Sequence, residues 1–301
     1  MNDIRKAAAS LLALLILVIA GDRLLSAALR RTLMGSHFRF ATVLRPGVDA
    51  DIIVMGDSRG VTSIYVPEVE RLSGLHTFSF AYNGMPTVVS EVMLADYLQH
   101  NRPPRLAIIE VTSTVEPRAF ISEIHTFGDF SPRLEALYAA EHPTAARVGK
   151  LLRLSRFNSE LFLRSLYYMR RSDQDWANWA AMSPGQVARL DARAVWTLKP
   201  LPENLAALER MIRLLESRHV EVRLLIGPYY PEYAAHSNLE AFAALIAGRT
   251  HRVDPKLAVW DYSSAVTGSS HYTDVIHLNG SGAKDLAALM QRDGFFAVRG
   301  A

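Results

Sequence analysis

The sequence predicts an α/β fold. It reads as three layers, α/β/α, around a central, mostly five-stranded parallel sheet, with a helical insertion after the third strand and an apolar N-terminal helix. Three observations predict it. Short runs rich in Val and Ile recur along the chain, and continuous apolar runs mark strands buried on both faces. Segments of helical spacing separate them, as crossover connections of a parallel sheet require. Finally, 301 residues at 50% hydrophobic and 21% charged suit a packed globular chain.

The N-terminal element comes first. Arg5 and Lys6 precede residues 7–20, fourteen positions without a charge. A basic start before an apolar run marks a signal peptide or an uncleaved signal anchor. Fourteen residues fall short of the ~20 of a full span. Leu24 and Leu25 extend the run if Asp22 and Arg23 are tolerated near the interface. Ser26-Ala27-Ala28 offers a weak cleavage site, separated from the run by charges, so the anchor is favoured. Arg23, Arg30 and Arg31 offset Arg5 and Lys6, so charge does not fix the orientation. The signal-like order favours export of the C-terminal domain. Residues 1–35 are expected to be anchor and juxtamembrane helix, and 36–301 one α/β domain.

Within that domain, 51–56 (DIIVMG) reads as the first strand, 66–74 as a helix stopped by glycine, and 76–82 as the second strand. A helix with Pro86 near its start comes next, then the third strand at 105–111. The alternation stalls over about 116–202, where aromatic residues and apolar spacing predict two or three inserted helices. It resumes with a helix from Pro202, a strand at 220–228, a helix at 239–250, a strand at 256–263 and a last helix capped by Asn279 or Ser281.

In such sheets ligands sit beyond the carboxyl ends of the strands. Gly56-Asp57-Ser58, Asn83-Gly84, Thr112-Ser113-Thr114 and Asp274-Val275-Ile276-His277 all fall there. A serine hydroxyl needs a base, and the base needs a group to orient it. Asp274 can reach back to one ring nitrogen of His277 and leave the other for Ser58. The backbone N–H groups of Ser58 and Gly84 can hold an oxyanion. Singly, each piece has a plainer use: Asp57-Ser58 as a helix cap, Asn83-Gly84 as a turn. Their joint placement carries the reading.

Together IIVMGDSRG, FAYNGMP and HYTDVIHLNGSGA resemble the blocks of the SGNH (GDSL-like) hydrolase superfamily. The resemblance implies a flavodoxin-like three-layer domain, with Ser58 as nucleophile, Gly84 as oxyanion donor, His277 as base and Asp274 as its partner. The matched blocks lie between residues 51 and 288 and leave the middle of the domain uncovered. One departure stands out. The family's Gly-x-Asn-Asp after the third strand is EVTSTVEP here, without the asparagine that donates to the oxyanion. Thr112, Ser113 or Thr114 could substitute with a hydroxyl, or the donor is lost. This divergence and the N-terminal helix are similar to the branch that moves acyl groups on cell-envelope and exported polysaccharides. That likeness implies an acyl ester or acylated carbohydrate as substrate and other envelope polysaccharide-modification proteins as partners. It also implies a membrane-anchored, exported catalytic domain, secreted if the leader is cleaved. A non-catalytic polysaccharide-binding or assembly protein on the same fold is the alternative, and a soluble esterase the third reading.

Other classes are disfavoured. With no cysteine there is no disulfide, thiolate metal site or Cys nucleophile. The histidines show no metal-ligand spacing, so no metal is expected. No phosphate-cradling glycine motif appears, and no cofactor is expected. A net charge of +3, dispersed along the chain, does not suit nucleic acid.

Overall fold

The computed structural model describes residues 2–189 and 196–298. Residues 190–195 of the expected insertion and 299–301 lie outside the described residues. The chain forms two compact units, Met1–Thr42 with Ile121–Ser172, and Val43–Phe120 with Asp173–Ala301.

The first unit is built on α1 (Asn2–Met34), one continuous helix. It is long and apolar enough to cross a membrane, and its apolar stretch is almost wholly uncovered. The helix runs through Asp22 because that carboxylate is satisfied: it accepts from the backbone N–H of Arg153 at 3.0 Å and of Leu154 at 2.9 Å, and from the Arg23 guanidinium at 3.1 Å. Beyond α1 the Ser36 hydroxyl donates to Ser165 O at 2.7 Å. Phe40 stacks on Phe127 and Phe38 on Tyr168, at 5.7 and 5.9 Å between centroids. The insertion supplies the helices Pro132–Glu141, Pro143–Leu151 and Glu160–Tyr167. Buried Arg156 ties the first two together, through Glu135 at 2.7 Å and Gly149 O at 3.2 Å. Aromatic residues of the insertion, among them Phe127, Phe162 and Tyr168, are core.

The second unit holds the sheet. Its strands are β1 (Ile52–Met55), β2 (Thr77–Ser79), β3 (Leu106–Glu110), β4 (Glu221–Ile226) and β5 (Val259–Asp261). All pair in parallel, in the order β2-β1-β3-β4-β5. The five strands are those expected, each shorter than its apolar run. Ile52, Ile53, Val54 and Met55 are wholly buried, each worth about 1.5–3 kcal/mol of apolar burial. Ile52 and Val54 share a core with Leu286 and Met290 of the last helix, Gly280–Arg292, and with Val69 of the helix Val66–Ser73. The helices Thr87–His100 and Pro202–Glu216 pack on each other, and the latter on β4. Asn279 caps the last helix, accepting from Ser281 N–H and Gly282 N–H.

The strand order reverses between β1 and β3. The chain leaves β1 outward for β2, then returns across β1 to β3. The connections that leave the carboxyl ends of β1 and β3 therefore run in opposite directions and open a crevice at the point where such sheets bind ligands.

Candidate active site

β1 delivers the first side chain. Gly56 adopts φ +142°, and a Cβ there would lie 2.8 Å from Glu110 Cβ. Only glycine lets the end of β1 pass so close to the end of β3. Asp57 then caps the helix Ser58–Ser63, accepting from Arg59 N–H at 2.8 Å. This cap leaves Ser58 as the first helical residue, half-buried.

The loop after β5 delivers the others. Thr273 N–H donates to His277 O at 2.9 Å, which closes a tight turn with Asp274 and His277 on it. Asp274 Oδ1 accepts from the N–H groups of Ile276 and His277 at 2.9 and 3.0 Å. Its Oδ2 is 2.8 Å from His277 Nδ1, and His277 Nε2 is 2.7 Å from Ser58 Oγ. Burial alone would raise the Asp274 carboxyl. Hydrogen bonds from the His277 ring and from the two N–H groups outweigh it and hold the carboxyl below its ordinary value. The carboxylate so fixed favours a proton on Nδ1, which leaves Nε2 to accept from the serine.

Gly84 has φ +66°, and nothing lies within 4 Å of the place its Cβ would take. Among the described residues the N–H groups of Ser58 and Gly84 donate to no protein acceptor. Thr112, Ser113 and Thr114 are placed differently from the expectation of a substitute hydroxyl. All three are buried. Thr112 Oγ1 donates to Glu110 Oε2 at 2.6 Å, and its N–H to the same oxygen at 3.1 Å. Ser113 Oγ bonds Glu110 O and Thr87 Oγ1, and Thr114 Oγ1 bonds Val111 O. Their hydroxyls close the turn after β3, and Thr112 Oγ1 also lies 3.3 Å from Asp57 Oδ2. Tyr272 is likewise buried, its hydroxyl donating to Tyr229 O and Val266 O. Among the described residues no cluster of three or more His, Asp or Glu could hold a metal ion.

Three further residues belong to the site. Arg59 is buried with its guanidinium 3.4 Å from the Tyr229 ring centroid. It donates to Gly227 O, to Pro228 O at 3.1 Å and to Ile276 O at 2.9 Å, and lies 3.5 Å from Glu110 Oε1. One side chain thus ties the end of β1 to the loops after β4 and β5. Glu110, a strand-end acid, is wholly buried and paired. Burial and then the Asp57 charge push its carboxyl up, opposed by Arg59 and Thr112. Glu116 stands at the end of EVTSTVEP. Its carboxyl is hydrogen-bonded to Asp57 and near enough to His277 to feel its charge. Burial first and Asp57 second push Glu116 from its ordinary 4.5 to about 7. Two carboxyls share a hydrogen bond only when one is protonated, and Glu116 carries that proton below neutrality.

Sequence patterns point to Arg59 only as the neighbour of Ser58, and to Glu116 only by its place where the family's asparagine block would be. Neither is marked by spacing.

No protein-family model matches the chain, and no curated protein matches it. Among solved structures it is similar to a Bacteroides fragilis protein described as a "putative acylhydrolase". The two are 12% identical over 83% of this chain and 88% of that one, with a TM-score of 0.38. At that identity and score nothing about the chemistry of this chain follows from the likeness.

Proposed function

We propose that this chain is a serine-dependent acyl-transfer enzyme that takes ester-linked acyl groups, with Ser58 as nucleophile, His277 as base and Asp274 as its orienter. The observation that carries the reading is the unbroken hydrogen-bonded chain Ser58–His277–Asp274, joining residues 219 positions apart in sequence. Ser58 Oγ attacks the ester carbonyl carbon as its proton passes to His277 Nε2. The Ser58 and Gly84 N–H groups take the oxyanion. Collapse breaks the C–O bond, and His277 returns the proton to the leaving alkoxide. Water or a sugar hydroxyl then resolves the acyl-enzyme by the reverse sequence.

The substrate class this reading favours is an acylated carbohydrate. Tyr65 and Trp176 line a small hollow with Val61 and Thr62 from the serine-bearing helix and with Leu278 beside His277, and Trp179 meets the Tyr65 ring edge-on at 5.9 Å between centroids. Trp176 and Trp179 are about half exposed. Aromatic faces beside polar groups suit sugar rings better than a long acyl chain. The uncovered α1 supports a membrane anchor, and export of the domain behind it is part of the proposal.

A second reading, a binding or assembly protein on the same fold, is favoured by the engagement of Thr112 and Ser113. Without a third donor the oxyanion loses ~10²–10³ in rate, so slow turnover is expected. Mass spectrometry after incubation with an aryl acetate separates the two. The native chain is expected to carry an acetyl group on Ser58, and Ser58→Ala none. Equal ester turnover by both would remove Ser58 from the chemistry. An unmodified Ser58 across a panel of acyl donors favours the binding reading.

A further inference from the structure

We infer that the outer surface of the helices Pro143–Leu151 and Glu160–Tyr167, with the turn between them, docks on a lipid bilayer beside α1 and sits in its headgroup layer. The inference rests on α1 being a membrane span.

Depth is the first argument. Residues 7–20 rise about 21 Å at about 1.5 Å per residue, against a hydrocarbon core of ~30 Å. A run that continues through Leu25 rises about 28 Å and matches it. Asp22 and Arg23 interrupt that run in sequence. In the structure Asp22 is only 6% exposed, its carboxylate closed by Arg153 N–H, Leu154 N–H and Arg23. Leu24 and Leu25, one step further, are 73% and 58% exposed. The uncovered apolar surface of α1 therefore continues past Asp22, and protein rather than lipid satisfies the charge. If the hydrocarbon ends near Leu25, Asp22 lies about 4–5 Å on its inner side. Residues 153 and 154 are bonded at that depth, so the turn that carries them reaches the bilayer.

The surface around that turn is made for it. Leu151 is 70% exposed and Leu163 64%, with Val148, Leu152, Leu166 and Tyr167 also open. The two helices already bury Ala146, Gly149, Leu161 and Phe162 inward, so their outer apolar side chains are not needed for the fold. Between residues 143 and 171 the exposed bases are Arg147, Lys150, Arg153, Arg164, Arg170 and Arg171, against the one acid Glu160. Aliphatic side chains ringed by basic ones suit an interface of anionic headgroups over acyl chains. Tyr167, with the Arg171 guanidinium 3.7 Å from its ring centroid, is the amphipathic ring such interfaces favour.

The absence of cysteine from the chain makes the test direct. The full chain is reconstituted into phosphatidylcholine–phosphatidylglycerol vesicles with one environment-sensitive fluorophore, on Leu14→Cys, Arg31→Cys, Leu151→Cys or Leu163→Cys. Nitroxide lipids then quench it from the headgroup level or from deep in the acyl chains. Leu14 reports the span and is expected to be quenched by the deep nitroxide. Arg31, about 9 Å beyond Leu25 along the helix, is expected to escape it. At Leu151 and Leu163 the headgroup-level nitroxide is expected to lower emission about twofold or more, as for a side chain seated in the interface. Quenching at Leu14 with water-like, unquenched emission at both loop sites overturns the docking alone. A blue shift at both without lipid quenching overturns it in favour of a protein cover, such as a second copy. An unquenched Leu14 overturns the span and the docking together.

Discussion

At the scale of single residues, the candidate site is an arrangement of charges as much as a hydroxyl beside an imidazole. Asp57, Glu110, Glu116 and Asp274 surround one buried guanidinium, Arg59, and one imidazole, His277. Glu116 is the member poised to change state, near pH 7. Its folded value lies above its ordinary one, so the folded chain binds the proton more tightly. Its contribution to stability is present below about pH 4.5 and is lost as pH rises towards about 7. In Glu116→Gln that titration is gone, and the fall in stability between about pH 4.5 and about 7 that it causes is expected to disappear. Urea midpoints of the native chain and the variant across that range measure this; parallel pH dependences would mean that Glu116 does not hold the proton. That Ser58, Asp274 and His277 would meet was legible because serine, acid and histidine stand at strand ends, which converge on one edge of the sheet. Arg59 and Glu116 were not, because their importance comes from burial and from neighbours distant in sequence. The same holds for Thr112 and Ser113: residue type suggests donors, and only the partner Glu110 shows where the hydroxyls go.

At the scale of elements, the close approach of β1 and β3 sets the position of Ser58. Gly56 stands at φ +142°, with Glu110 Cβ 2.8 Å and Glu110 O 3.1 Å from a Cβ built on it. Gly56→Ala combines a strained backbone with a clash against a wholly buried strand end. About 3 kcal/mol or more of stability is expected to be lost, read as a lower urea midpoint. The folded fraction is expected to acylate more slowly, because a misplacement of about 1 Å at a nucleophile costs on the order of 10²-fold. A midpoint shift under about 0.5 kcal/mol, as at an indifferent surface position, would show that the strand ends yield without cost. The strands themselves were plain in the sequence, since buried parallel strands are continuous apolar runs. Their observed ends fall short of those runs. At Gly56 the chain turns away, and after Glu110 it tightens into a turn held by Thr112 and Ser113. The ladder stops where the crevice begins, although the apolar pattern continues.

At the scale of the whole molecule, the division into two units is where sequence pattern fails most. An apolar helix face announces that something covers it without saying what. Residues 121–172 read as an insertion in one domain, yet they form a compact unit with residues 1–42. The bonds that join them span about a hundred positions or more: Arg30 to Asp129, Ser36 to Ser165 and Asp22 to Leu154. No local periodicity encodes pairings at such separation. The N-terminal half of α1 shows the converse. Leu11, Leu14 and Leu17 are 68%, 58% and 69% exposed, so among the described residues nothing covers a stretch that would be insoluble if bare. Lipid is the cover its length and composition fit. Each arginine at the centre of a span costs ~2.5–3.5 kcal/mol, so Leu14→Arg with Leu17→Arg raises the insertion cost by about 5–7 kcal/mol. The native chain is expected to sediment with membranes through an alkaline carbonate wash, which strips proteins held only at the surface. The double variant is expected in the supernatant. If both sediment alike, the apolar run of α1 is not what holds the protein in the membrane, and its exposed leucines need another partner.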